Sequence, residues 1–327
     1  MSDSRPCLYC GEVFTPDKWH PKTEYCHTRH RDLAYNERRR GGRGVPVVET
    51  PLETETLIQQ IHDRGFYVTK APQSSDEHFK IDLKRFEGDR RRFAVVSDTH
   101  LCSEYQQLTF LKNFYRLCSE REISDVLHCG DLSDGNGKVY KGHEYEIFLH
   151  GFDKQCDYII EHYPKEEGVT TWAIAGNHDE SFFKGGGHDL VKAVSEKRPD
   201  IKYFGFHGAN ISLAGAEHIT MYLHHPRGAM PYARSYRLQK VIENMAPEQK
   251  PMFMFSGHLH TVCILPGYRN VEALSVPCFQ SQTPLLKAMG VYPLVAGIFV
   301  DFTFDGTGIV STKYEVYPFY IPIARDY

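Results

Sequence analysis

The sequence predicts an α/β fold of four layers, two β-sheets face to face with helices on the outer sides. Three observations predict it. Helical and strand patterns alternate from residue 93 to residue 245, as they do when crossover helices join parallel strands. Strand patterns then dominate, at 262–265, 271–274, 297–304 and 309–316, enough for a second sheet. Finally, the apolar runs at 93–96, 126–128, 171–175, 219–223 and 252–255 are each followed by acid, amide or imidazole side chains. Open α/β sheets carry their ligand sites just past strand ends.

The 327 residues, 41% of them hydrophobic, suffice for one large core and a smaller appendage. A formal net charge of -4 excludes a globally basic nucleic-acid binder, so such contact must come from local patches. No apolar run approaches the roughly 20 residues of a membrane span, so no membrane partner is expected. Nine cysteines behind a polar start, without a signal-peptide pattern, predict a reducing, cytoplasmic setting rather than a disulfide scaffold.

Residues 1–40 read as a zinc-binding module. Cys7 and Cys10, two residues apart, followed by Cys26 and His30, have structural-zinc spacing, with His20 and His27 as substitutes for His30. Such a module has little core, so one structural Zn2+ would supply its folding free energy. Arg29, Arg31, Arg38, Arg39, Arg40 and Arg43 follow, as a solvated face or as phosphate contacts to a nucleic acid. The stretch resembles small treble-clef zinc modules on nucleic-acid enzymes, a type that also binds proteins. Residues 41–92 read as a linker and a small winged-helix-like element. Its helix is marked by Leu57, Ile58 and Ile61, its strand lies at 66–68, and its basic run is Arg90, Arg91 and Arg92.

Residues 93–327 read as the catalytic domain. Helices are expected at 106–118, 144–162, 189–197 and 233–245, a flexible loop at Gly185, Gly186 and Gly187, and further strands at 201–204, 209–213 and 218–223. Five motifs follow the strands: Asp98-Thr99-His100, Gly130-Asp131 with Asp134, Gly176-Asn177-His178-Asp179, His224-His225-Pro226 and Gly257-His258-Leu259-His260. Carboxylates, an amide and imidazoles gathered this way make a metal centre, and mixed oxygen and nitrogen ligation suits Mn2+, with Fe or Zn2+ as alternatives, better than Mg2+.

In this order the motifs resemble those of the calcineurin-like metallophosphoesterase family, from residue 93 to the end of the chain. The resemblance implies a double-sheet sandwich with two divalent metal ions at the strand ends. It implies that Asp98, His100, Asp131 and His260 hold one ion, that Asp131, Asn177, His224 and His258 hold the other, and that Asp131 bridges. On the residues alone His225 competes with His224, because neighbours point opposite ways on an extended chain. The resemblance makes His178 the general acid and Asp134 the carboxylate that orients it; read locally, Asp134 is a loop cap before Gly135, and Asp179 braces a turn. His143 could line the cleft. Arg227, Arg234 and Arg237 are either phosphate clamps or a solvated helix face. The remaining histidines read as surface or packing residues and the remaining cysteines as buried packing.

The implied reaction is phosphodiester hydrolysis by a metal-bridging hydroxide. A DNA nuclease, similar to the double-strand-break repair branch of the family, accounts best for the zinc module, the arginine-rich tail and the winged element. A small-substrate phosphodiesterase, acting on cyclic nucleotides or glycerophosphodiesters, is the competing reading. A protein phosphatase would show Gly-Asp-x-x-Asp-Arg-Gly and Gly-Asn-His-Glu, and here Asp134 precedes Gly135 and His178 precedes Asp179. A catalytically dead nucleic-acid-binding module is a further reading; with all the expected ligands and His178 present, it requires a defect that the sequence does not display. An ATPase able to open a duplex and a second copy of the chain are compatible partners.

Overall fold

The computed structural model of the chain describes residues 5–7, 13, 14, 78–86, 89–228 and 230–327. The chain divides into two compact units, residues 1–68 and 69–327. In the first, β1 (Arg5–Pro6) pairs antiparallel with β2 (Val13–Phe14), and Cys7, at the end of β1, is buried. Cys10, Cys26, His30, His20, His27, the arginine-rich tail and the helix and strand expected between 53 and 68 lie outside the described residues.

In chain order the second unit runs β3 (His78–Ile81), β4 (Arg90–Val96), α1 (Leu108–Glu120), β5 (Asp125–Cys129), α2 (Phe152–His162), β6 (Thr170–Ala175), α3 (Glu180–Gly186) and α4 (Leu190–Lys197). It continues through β7 (Ile201–Phe206), β8 (Gly208–Leu213), β9 (Ala216–His224), α5 (Tyr236–Asn244), β10 (Phe253–Ser256), β11 (Cys263–Tyr268) and β12 (Val271–Ser275), then α6 (Pro284–Ala288), β13 (Ala296–Asp305) and β14 (Gly308–Pro318). One six-stranded sheet has the order β14-β13-β4-β5-β6-β7, the other β11-β12-β10-β9-β8-β3. The strands that carry the motifs run parallel to one another within each sheet: β4, β5 and β6 in the first, β9 and β10 in the second.

Strand alternation builds the layers. On β4, Phe93 and Val95 face the second sheet, where they meet Met221, Leu223, Phe253 and Phe255. Ala94 and Val96 face outward, under Leu111 and Phe114 of α1, Ile159 of α2 and Val191 of α4. On the far side Leu238 and Ile242 of α5 cover Met254 and Ala273. Helix, sheet, sheet and helix are the four layers the sequence predicts.

Four local expectations are corrected. The second unit begins upstream of residue 93, since β3 already sits at the edge of the second sheet beside β8. Arg90, Arg91 and Arg92 are the opening of β4 and not a separate basic element. Arg90 holds Asp301 across the sheet (Nε to Oδ1 2.7 Å), and Arg91 is buried with its guanidinium 5.0 Å from the Phe304 ring. The long helix expected over 144–162 is α-helical only from Phe152, with a short 3-10 turn at His143–Tyr145, because Gly151, at φ 101°, breaks the chain there. Upstream of it, Glu146 and Phe148 bond to the loop after β4 instead, through Glu104 N–H to Glu146 O (2.8 Å) and Phe148 N–H to Cys102 O (3.1 Å). Gly185 and Gly186 complete α3, and Gly187 caps it in the left-handed conformation, so no flexible loop stands there.

Candidate metal centre

All five motifs meet where the two sheets present their carboxyl ends. The first sheet contributes Asp98 and His100 after β4, Asp131 after β5 and Asn177 after β6. The second contributes His225 after β9, with His258 and His260 after β10. Asp98, His100, Asp131, His258 and His260 all have positive φ, between 44° and 75°. The left-handed conformation costs a non-glycine residue roughly 1–3 kcal/mol. It persists here because the loops hang from fully buried strands, in which each large apolar side chain contributes about 1.5–3 kcal/mol.

The motif glycines make room for neighbouring ligands. A Cβ on Gly130 would lie 2.5 Å from His225 Nδ1, one on Gly176 would overlap the Asp131 carboxylate, and one on Gly257 would overlap Ser97 Oγ and crowd Asp98 Oδ2 at 2.9 Å.

The first cluster is Asp98, His100, Asp131 and His260. His260 Nε2 lies 3.2 Å from Asp98 Oδ1 and 3.2 Å from His100 Nε2, which is 3.9 Å from Asp131 Oδ2. Such spacings suit donors around one cation at about 2.0–2.2 Å. Asp98 Oδ1 is fully buried and has no hydrogen-bond partner among the described residues, whereas Oδ2 accepts from Ser97 Oγ (2.5 Å) and His258 N–H (2.8 Å). His100 Nδ1 donates to Asp134 Oδ1 at 2.8 Å, which leaves the Nε2 lone pair facing the cluster. A carboxylate behind an imidazole is the usual support of a metal-bound histidine.

The second cluster is Asp131, Asn177, His225 and His258. His225 Nδ1 donates to the Cys129 carbonyl at 2.7 Å, so Nε2 meets Asp131 Oδ2 at 3.0 Å and Asn177 Oδ1 at 3.2 Å. Three acceptors converge there, and only a cation or a proton reconciles them. Asp131 Oδ1 accepts from His178 N–H at 2.8 Å, so Oδ2 is the atom that faces both clusters. His258 groups with Asp131 and His225, and its Nε2 donates to Gly228 O at 2.6 Å, which leaves Nδ1 to ligate.

His224, expected as the ligand, is not brought to the cluster. Its ring stacks beside Tyr222 and its Nδ1 lies 3.2 Å from Ser256 Oγ. The cause is strand phase: Ile219, Met221 and Leu223 point into the inter-sheet core, so His225 does too. Burial alone would push the Asp98, Asp131 and Asp134 carboxyls up, but the facing imidazoles override it and hold all three below the usual carboxylate range. Burial lowers His225 as well, yet the Asp131 carboxylate more than offsets it and its pKa stands at about 9. Burial lowers His258 to about 4, which keeps that ligand neutral.

His178 stands beside the clusters, its ring edge-on to His100 with centroids 4.5 Å apart. Its Nδ1 donates to the Asp134 carbonyl at 3.0 Å and lies 3.4 Å from the Asp134 carboxylate. Burial lowers its pKa, the charges of Asp131 and Asp134 raise it by more, and the net shift is upward. Asp134 thus serves more side chains than expected. Its shortest bond is to His100, its Oδ2 lies 3.2 Å from His143 Nε2, and at 1% exposure it is no loop cap. Asp179 does brace the turn, accepting from Leu132, Ser133 and Gly176 N–H at 2.8–3.0 Å. Burial, and then the charge of Asp131, raise its pKa to about 6.

A profile of the calcineurin-like phosphoesterase family matches residues 91–262, just over half of the chain and all of the metal-site motifs. The chain belongs to the calcineurin-like phosphoesterase family. That family uses divalent metals, and the orphaned Asp98 Oδ1 and the converging acceptors at His225 fit them. Comparison of this phosphoesterase with curated proteins gives no match. Among solved structures it is similar to a conserved uncharacterized protein of Streptococcus pneumoniae described as a predicted phosphoesterase, at 12% identity and TM-score 0.33, over 69% of this chain and 98% of that one. It is similar to the nuclease MPE of Pseudomonas putida at 14% identity and TM-score 0.29, over 69% and 86%. A hypothetical protein of Thermus thermophilus is similar at 12% identity and TM-score 0.33, over 69% and 99%.

In the phosphoesterase, a cleft of about 380 Å³ opens over both clusters and His178. One wall is apolar, formed by Val139, Tyr140, Leu285, Leu286, Met289 and Val291. Gln280, on the cleft floor, was not singled out by the sequence; its Nε2 donates to Ser103 Oγ (3.0 Å) and lies 3.4 Å from Asp134 Oδ1. It follows the last motif in a stretch without a metal-ligand pattern, so nothing local marks it. Tyr140, from a loop, stacks on His143 at 4.4 Å and is equally silent in the sequence.

Proposed function

We propose that this phosphoesterase hydrolyses phosphodiester bonds of nucleic acid, DNA foremost. The observation that carries the reading is the cleft, which sets the metal ligands and His178 beside an apolar wall. A phosphodiester keeps an organic group on both sides of the phosphorus. The wall accepts one of them, and the other leaves past His178. Bound at the two clusters, divalent cations supply neutralisation of the phosphate charge and acidification of water, with Mn2+ best suited to this donor set.

The chain's own groups do the rest. Asn177 contributes a neutral carbonyl, which limits negative charge where an anion must approach. His178, whose pKa the charges of Asp131 and Asp134 raise against its burial, stands where it can donate a proton to the departing oxygen as general acid. Asp134 holds His100 through its carboxylate and His178 through its carbonyl, so one residue sets both a ligand and the acid.

A panel with Mn2+ tests the reading: single-stranded and duplex DNA, RNA, cyclic nucleotides, a chromogenic diester and phosphopeptides. Preferred cleavage of DNA is the expected result. Preference for cyclic nucleotides would move the assignment to a small-substrate phosphodiesterase, and preference for phosphopeptides would sink it.

A further inference from the structure

A second pocket of about 410 Å³ adjoins the metal cleft and shares Val139, Asn177 and Gly228 with it. Its walls are Asn136 and Lys138 from the loop after Asp134, Ser181 and Lys184 from α3, and Arg227 from the segment after β9. Lys138, Lys184 and Arg227 are all exposed. One carboxylate, that of the buried Glu180, serves two of them: Lys184 Nζ lies 2.7 Å from Oε2, and Arg227 Nη2 reaches Oε1. Arg227 Nη2 also donates to His207 Nε2 at 2.9 Å, which fixes the guanidinium. Lys138 has no ion pair among the described residues. Three cations thus line one pocket beside Asn177 with a single acid, Glu180, paired to two of them.

We propose that this pocket is a subsite for a second phosphate, one carried by the same substrate next to the phosphate under attack. The inference rests on the phosphodiesterase reading and deepens it. A carboxylate that serves only to offset burial needs one cation, whereas here two are pinned at fixed positions and a third is added. Fixed cations facing an open pocket are what a phosphate dianion or diester requires, and with Nη2 held by Glu180 and His207, Arg227 keeps Nη1 to donate to a phosphate oxygen. Asn136 adds order to the rim: its amide N–H donates to Ser181 Oγ at 2.8 Å and its Nδ2 to Ser181 O at 2.7 Å, which ties the Lys138 loop to α3. The sequence left Arg227 open between clamp and solvated face, and the pocket assigns it to the clamp.

The probe is inhibition of chromogenic diester hydrolysis by thymidine 3′,5′-bisphosphate, compared with the thymidine 3′- and 5′-monophosphates, on the metal-loaded full chain. The wild type should bind the bisphosphate about tenfold or more tightly than either monophosphate. In Lys138→Ala/Lys184→Ala that advantage should fall to about twofold or less, while turnover of the single-phosphate chromogenic diester stays unchanged and Lys184→Arg keeps the advantage. No advantage in the wild type, or an advantage that survives the double substitution, overturns the subsite. Oligonucleotides with and without a 5′-phosphate then identify the source. A terminal phosphate is the ligand if its removal slows cleavage, and an internal one is the ligand if only the double variant does. Intact bisphosphate preference with uncut oligonucleotides would refute the nucleic-acid substrate and leave the subsite standing.

Discussion

His224 and His225 put the same side chain into opposite environments one residue apart. His225→Ala should reduce bound metal from two ions per chain to one, while His224→Gln leaves two, as elemental analysis of the dialysed protein would report. Proton competition gives a second readout. With a pKa of about 9 the metal-free His225 carries a proton at neutrality, and the ion must displace it. Affinity at that cluster should therefore rise about tenfold per pH unit up to about pH 9 and flatten above it, measured by competition with a chelating dye. A pH-independent affinity would show that the proton is not there. His178→Ala should retain both ions and slow DNA cleavage by about 10²–10⁴-fold, with far less effect on nitrophenyl esters, whose leaving group needs no proton. Equal losses on both substrates would remove the general-acid role. The choice between His224 and His225 was in fact written in the sequence: the period-two run of Ile219, Met221 and Leu223 carries through to 225. The further contacts of Asp134, with His100 and His143, were not, because those imidazoles reach it from other segments.

The elements were legible where burial and periodicity agreed. Strands β4, β5, β6 and β10 fall where their apolar runs lie because they are covered on both faces where those runs lie, and β9 does so because Ile219, Met221 and Leu223 alternate into the core. The helix expected at 144–162 failed for a tertiary reason. Ile147 and Phe148 continue the helical spacing of α2, but Gly151 turns the chain and the loop after β4 claims the backbone upstream. The turns of the centre make their own prediction. Gly176→Ala adds a methyl group where the Asp131 carboxylate already sits, so it should cost metal at both clusters and lower the melting temperature, although position 176 itself has no positive φ. Full metal occupancy in that variant, by elemental analysis, would mean that the loop can yield.

In the whole molecule the centre lies across the seam between the sheets, with Asp98, His100, Asp131 and Asn177 on one side and His225, His258 and His260 on the other. Ions that bind only this assembled form stabilise it in proportion to their affinity. Removal of metal by a chelator should lower the melting temperature by several degrees, a 1 kcal/mol loss being worth about 2–4 °C in a domain of this size. Re-addition of Mn2+ should restore it, and an unchanged melting curve would show that the centre is not what joins the layers. The four-layer plan was legible from alternation alone, whereas the basic pocket beside Asn177 was not, since its three cations come from three segments with no shared motif. The seam has a temporal consequence. Half of the ion's cage is made by chain that ends at Asn177 and half by chain that begins at His225, so a nascent polypeptide still short of its second sheet owns no complete cage. Capture of the cation is then a late event in the life of each molecule, and a time-resolved refolding experiment should find it only after the aromatic layer between the sheets has closed.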